Sequence, residues 1–274
     1  MQQVSEKKHD ILNQKPKSAL FHSLTLIAIG TISYIIADIA HEAIGHGGAC
    51  LLGGGKIALL TSVYFRSEVH SFITDTFGPV ANLATGLLIW TLLRKANYAK
   101  IYFQLLLLDT MIFNFFWFSW QCFYTGITNK GDFAYDIKGT TELFTWRILL
   151  IIVSILSYIG SSYLIVKVSQ KILDAFKNNI SRRQLRQLFL IPYLGAGCSA
   201  LFAVSFFNPH TFSTFLEAFV FPMFFPMLLV PRYLKNFNRV VDGIFLDNQQ
   251  IKIIISGLII FIVFCLTMGR GMHF

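Results

Sequence analysis

Apolar residues in this chain fall into long blocks separated by short polar stretches, and block length sets the first expectation. Crossing about 30 Å of hydrocarbon takes roughly 20 consecutive apolar residues in a helix. Seven blocks approach or exceed that length: 20–46, 71–93, 101–124, 148–166, 188–207, 212–230 and 253–268. The pattern predicts an all-α integral membrane protein with about seven transmembrane helices. One stretch departs from it. After Gly47, Gly48 and the run Gly53-Gly54-Gly55, residues 56–66 (KIALLTSVYFR) are rich in β-branched and aromatic side chains. They predict a short surface β-hairpin following the first span. Gly78-Pro79 predicts a local break where the second span opens.

Composition supports the membrane reading and charge orients it. Of 274 residues, 54% are hydrophobic and 14% charged, against about 25% charged in soluble domains. The net charge of +9 raises nucleic acid as a partner, but the cations sit between the apolar blocks. The N-terminal tail, 94–100, 167–187 and 231–252 together hold 17 of the 23 Lys and Arg residues. The positive-inside rule assigns these segments and the N-terminus to the cytoplasm. No nucleic-acid partner is expected, and the lipid bilayer is. Seven spans leave the C-terminus outside; six would move only that terminus. The basic, amphipathic stretch 167–187 is expected to lie on the anionic inner leaflet. The first block is too long for a signal-peptide core and no A-x-A site follows it, so it reads as a retained span. The chain divides into a cytoplasmic tail (1–18), a three-span core (19–147) and a C-terminal bundle of about four spans (148–274). Cys50, Cys122, Cys198 and Cys265 are scattered and read as small apolar residues.

Chemistry concentrates in Asp38-Ile-Ala-His41-Glu42-Ala-Ile-Gly45-His46, where four ionisable residues fall inside one apolar block. Such residues within spans are rare and usually functional. His-Glu followed by a second His is similar to the H-E-x-x-H zinc helix, in which two imidazoles bind the metal and the Glu acts on water. Here the spacing is H-E-x-x-x-H. In a regular α-helix, residues five apart are offset by about 140°, against about 40° for residues four apart. His41 and His46 share a face only if the turn is widened, and a π-bulge does this. Ile44-Gly45 offers a place for it, because Gly accepts distorted backbone. The spelling H-E-x-x-G-H also resembles the zinc helix of the dipeptidyl peptidase III family.

A zinc site needs a third protein ligand. Asp132, Asp136, His70, Asp75, His210 and Glu217 are available on the outer side, with Asp38 and Asp109 deeper; Asp132 is favoured. His41 lies about 21 residues beyond Leu20, roughly 32 Å along a helix, so it reaches the outer face, where Asp132 follows the third span. Asp109 and Asn114 read as interhelical hydrogen-bond partners. The aromatic run 113–120 reads as packing or lipid-facing surface.

The arrangement as a whole resembles the site-2-protease family of intramembrane metalloproteases, in the style of its small bacterial members. His41-Glu42…His46 is followed by Gly78-Pro79-Val80-Ala81-Asn82, matching a Gly-x-x-x-Asn element, and then by Gly131-Asp132-Phe133, where the family carries Gly-Asp or Asp-Gly. The likeness covers roughly residues 20–140. It implies one Zn2+ ion held by His41, His46 and Asp132, with Glu42 as general base and later proton donor. It implies Asn82 and Gly78 in substrate binding, and peptidase activity on membrane-associated protein segments in a bacterial cytoplasmic membrane. An extended substrate would add to the edge of the 56–66 strand. The same metal chemistry would serve a hydrolase of a lipid amide or ester. A third reading is an inactive scaffold with imidazoles that face apart. The oligomeric state is open.

Overall fold

The computed structural model describes residues 22–68, 71–95, 100–174, 180–208, 211–235 and 249–274. Seven helical segments among them are long and apolar enough to cross a membrane: His22–Leu52, Phe72–Lys95, Ile101–Thr128, Leu143–Asp174, Arg182–Val204, Phe212–Tyr233 and Gln250–Gly269. We label the first three α1, α2 and α3, the short helix Ala134–Ile137 α4, and Leu143–Asp174 and Arg182–Val204 α5 and α6.

Helix α3 forms the centre, packed between α2 and α5. Its residues Phe113, Phe115, Phe116 and Trp117 are buried in the core, so the aromatic run is packing surface. Helices α1 and α6 meet through small residues: a Cβ on Gly30 would lie 2.2 Å from the Pro192 carbonyl oxygen. Thr31 and Ser199 share a buried 2.8 Å hydrogen bond across that interface, the small-and-polar contact typical of helices packed in lipid. The periphery is apolar. In α5 and in the seventh segment only 17% and 22% of the most hydrophobic window is buried, far more apolar exposure than a soluble monomer carries.

The sixth segment is broken into α7 (Phe212–Glu217), α8 (Phe221–Phe224), a 3-10 turn (Phe225–Leu229) and α9 (Val230–Tyr233). Pro222, Pro226 and Pro231 explain this, since each lacks an N–H for the helical ladder. Tyr158 donates its hydroxyl hydrogen to the Met223 carbonyl (3.2 Å) and Tyr193 donates to Phe221 (3.0 Å). The last segment is α10 (Gln249–Phe264), continued by a π turn, Cys265–Gly269.

Three expectations are corrected. Helix α2 begins at Phe72 and continues past Gly78-Pro79. The start is set by Ser71, about two turns earlier, whose side chain accepts from the Thr74 N–H (3.1 Å). The stretch 167–187 is not a separate surface helix. Its described residues are the end of α5 and the start of α6, and Ile172, Leu173 and Leu185 face the core. The apolar stripe packs within the bundle. The hairpin is present as β1 (Ile57–Leu60) and β2 (Phe65–Ser67), but a third strand, β3 (Met272–His273), pairs with β1 on its other side. The sheet order β2-β1-β3 makes β1 central, so strand addition is confined to the outer edges of β2 and β3.

Candidate metal centre

The C-terminal end of α1, the start of α2 and the end of α3 meet at one end of the bundle, beneath the hairpin. Within α1, residues Ile39–Gly47 are π-helical. The widened turn stacks residues five apart, and the His41 and His46 Nε2 atoms stand 3.3 Å from each other. The expected distortion at Ile44-Gly45 thus extends over nine residues. Gly45 matters for a second reason: a Cβ there would lie 2.6 Å from Gly78 Cα, so the pair lets α1 and α2 approach backbone to backbone. Gly78 also leaves room for the imidazole of His46, since a Cβ on it would fall 2.2 Å from His46 Nε2.

Asp132 arrives from the loop after α3. Asn129 ends that helix in the left-handed region (φ 55°), its N–H bonded to the Thr125 carbonyl, and Gly131 follows at φ 92°. A side chain at Gly131 would be strained, and its Cβ would sit 3.0 Å from Gln121 Oε1. The turn brings Asp132 Oδ2 to 3.1 Å from His41 Nε2 and Oδ1 to 3.7 Å from His46 Nε2. His41, His46 and Asp132 form a group able to hold a metal ion, with all ligand atoms within 4.8 Å of one another.

Hydrogen bonding behind the imidazoles decides which nitrogens are free. His46 Nδ1 lies 2.7 Å from the Thr74 carbonyl oxygen. A carbonyl only accepts, so Nδ1 carries the hydrogen and Nε2 presents its lone pair in the neutral ring. His41 Nδ1 lies 2.6 Å from Asn82 Oδ1. The Asn82 amide is oriented by Nδ2, which donates to the Ala37 carbonyl and to Asn114 Oδ1, both at 2.9 Å. Asn114 is fixed in turn by donating to the Thr110 carbonyl (2.8 Å). Two bare Nε2 atoms and a carboxylate therefore face one point. Such an arrangement is repulsive unless a metal ion or a proton lies between them. Bonds of about 2.0–2.1 Å in tetrahedral geometry set ligands about 3.3 Å apart; the two Nε2 atoms have that spacing, and Asp132 comes to 3.1 Å of one and 3.7 Å of the other with different oxygens. Burial would raise the Asp132 carboxyl, but His41 and His46, when protonated, outweigh it and hold the group below its usual value; a metal ion in place of those protons would act in the same direction. Trp117 stacks on His41 (ring centroids 5.1 Å) and Phe65 of β2 on His46 (5.5 Å).

Glu42 is buried beside these ligands but is not one of the metal-holding group, and its Oε2 has no hydrogen-bond partner. With His46 and Asp132 it lines a cavity of about 1180 Å³ that extends under the hairpin to α7 and the break after it. Tyr64, on the hairpin turn, bonds to Glu217 across this cavity; burial, then Glu217, pushes its phenol up to about 12.

The remaining sequence candidates lie elsewhere. Asp75 and Glu217 line the cavity outside the metal group. Asp38 is fully buried with Tyr34 Oη at 3.5 Å, and Asp109 is buried in α3. The Asp136 side chain, His70 and His210 lie outside the described residues. Asn82 is 0% exposed. Its side chain bonds to His41, the Ala37 carbonyl and Asn114, so it orients the His41 ring. Gly78 likewise faces His46. Asn114, Thr74 and Trp117 support the site without having been expected there. Only Asn114 carried a visible signal, a polar residue in an apolar span.

Gly78→Ala should push His46 off its position, and Asn82→Ala should free the His41 tautomer. Each is expected to weaken metal affinity about 10–100-fold, the usual cost of losing support behind a ligand. Competition with a chelating dye measures it.

No protein-family model matches the chain, and no curated protein or solved structure matches it. The fold and site define a helical protein with seven apolar, membrane-length segments and a buried His-His-Asp group able to hold a metal ion.

Proposed function

We propose that this chain is a membrane-embedded zinc hydrolase of the site-2-protease kind, a peptidase acting on membrane-associated protein segments. One observation carries the reading: a His-His-Asp group with both Nε2 atoms bare opens on a large cavity beside a buried carboxylate, Glu42, whose Oε2 has no hydrogen-bond partner. Two imidazoles with one carboxylate suit zinc, and a fourth position remains for chemistry. Zinc held there supplies Lewis acidity, lowering the pKa of water to about 7 and polarising a carbonyl.

The residues divide the work. His41, His46 and Asp132 hold the ion; Asn82 and the Thr74 carbonyl orient the imidazoles. Glu42 takes the proton of the attacking water and returns it to the leaving amine. A helical substrate hides its peptide bonds in its own ladder, so the segment must unwind before cleavage. The outer edge of β2 offers it backbone partners beside Phe65, which stacks on His46. The test is to incubate zinc-loaded protein in detergent with a helix-destabilised membrane peptide and, separately, with a phospholipid. Zinc-dependent peptide fragments are the expected product. Fatty acid release without peptide cleavage would assign the site to lipid.

In the same reading the N-terminus is cytoplasmic and the site faces outward. Lys56, Arg66, Lys130, Lys138, Arg147 and Arg270 are the only six cations in the segments at the site's end of the bundle, against 17 in the others. With Cys198 changed to Ala, Lys130→Cys should react with an impermeant maleimide in intact cells and Arg183→Cys should not. The reverse pattern would invert the orientation.

A further inference from the structure

We propose that the groove between α5 and the sixth segment is a binding site for one anionic phospholipid. The inference rests on the membrane placement proposed above and is independent of hydrolysis. At the end of the bundle away from the metal centre, α5 and the 3-10 turn enclose a groove of about 310 Å³, lined by Tyr158, Ile159, Val166, Pro226, Leu229 and Tyr233 among others. The size is at the lower end for ligand sites, about 300–1,000 Å³. The proline-broken sixth segment forms one wall of it, through Pro226, Leu229 and Tyr233.

The groove's apolar walls lead to a basic end. Tyr163, one turn before Lys167, and Tyr233 are both strongly exposed, and exposed tyrosines mark the headgroup level in membrane helices. Beyond them stand Lys167, Arg232 and Lys235, all exposed. Gln170 ties the two elements together there: its Oε1 accepts from the Lys235 N–H at 2.9 Å. Lys167 lies over the Tyr163 ring, its Nζ 5.9 Å from the centroid. Among the described residues none of the three cations forms an ion pair. An apolar slot below, tyrosines at the interface and unpaired cations above fit one acyl chain and an anionic headgroup. A zwitterionic lipid would fill the slot equally well but would gain less from the cations.

The experiment is native mass spectrometry of the full chain in detergent, titrated with phosphatidylglycerol or with phosphatidylcholine of the same acyl chains. One phosphatidylglycerol should be retained in preference to phosphatidylcholine. Each of Lys167→Gln, Arg232→Gln and Lys235→Gln should weaken its binding about five-fold. These positions are exposed, so folding is unaffected, and unchanged phosphatidylcholine retention verifies this. Val166→Phe, which fills the groove and leaves the cations, should also lower phosphatidylglycerol retention. Equal retention of the two lipids, or no effect of the Gln variants, would overturn the proposal. So would displacement by inorganic phosphate at matching concentration, which would show an anion site without a tail. A dimer in solution that Val166→Phe dissociates would give the groove to a second copy and overturn it as well.

Discussion

Glu42→Gln is expected to abolish hydrolysis while leaving the full complement of zinc. The two properties separate because the residues do. His41, His46 and Asp132 supply the atoms that converge on one point, and Glu42 stands outside that group, buried, with one oxygen unpaired. Gln is nearly isosteric, so packing against the π turn survives. It cannot accept a proton from water, and general base catalysis contributes about 10²–10⁴-fold. Turnover should fall by at least that factor on any peptide the parent cuts, with metal content by elemental analysis unchanged. Loss of zinc along with activity would make Glu42 a ligand. Activity equal to the parent's would remove it from the chemistry and favour the scaffold reading.

Replacing a ligand should have the opposite signature. His41→Ala, His46→Ala or Asp132→Ala removes one of three donors, and metal affinity should fall by more than the 10–100-fold that a lost supporting hydrogen bond costs. Asp38→Asn and Asp109→Asn, equally buried carboxyls outside the group, should retain metal. A loss of zinc from either of these as large as from Asp132→Ala would show that the ligand set is misassigned.

The site was legible in the chain to the extent that its chemistry is local. His41, Glu42 and His46 announce themselves as ionisable residues in an apolar block, and their five-residue spacing requires a widened turn. The structure supplies a π stretch that makes the two rings converge. Asp132 was reachable from topology, since the end of the third span and the end of the first lie on the same side. What stayed hidden depends on packing between helices. Asn82 belongs to His41 only because α2 crosses α1 at Gly45 and Gly78, where both lack a side chain. The acceptor behind His46 is a backbone carbonyl, which no sequence pattern marks.

The fold shows the same division. Hydropathy reports the seven membrane-length segments but not the broken course of the sixth, although its three prolines were in view. Gly78-Pro79 suggested a break, but the helix starts earlier, at the Ser71 cap, and continues past them. Strand β3 has two residues, too few for any periodicity to register, yet it places β1 in the middle of the sheet and leaves substrate addition only the outer edges of β2 and β3.

X-ray absorption at the zinc edge of the purified, zinc-loaded chain tests the central claim most directly. The account predicts one ion per chain with four light-atom ligands at about 2.0–2.1 Å and scattering from two imidazole rings, reduced to one ring in His46→Ala. A sulfur shell near 2.3 Å, or an unchanged imidazole signal in His46→Ala, would contradict it.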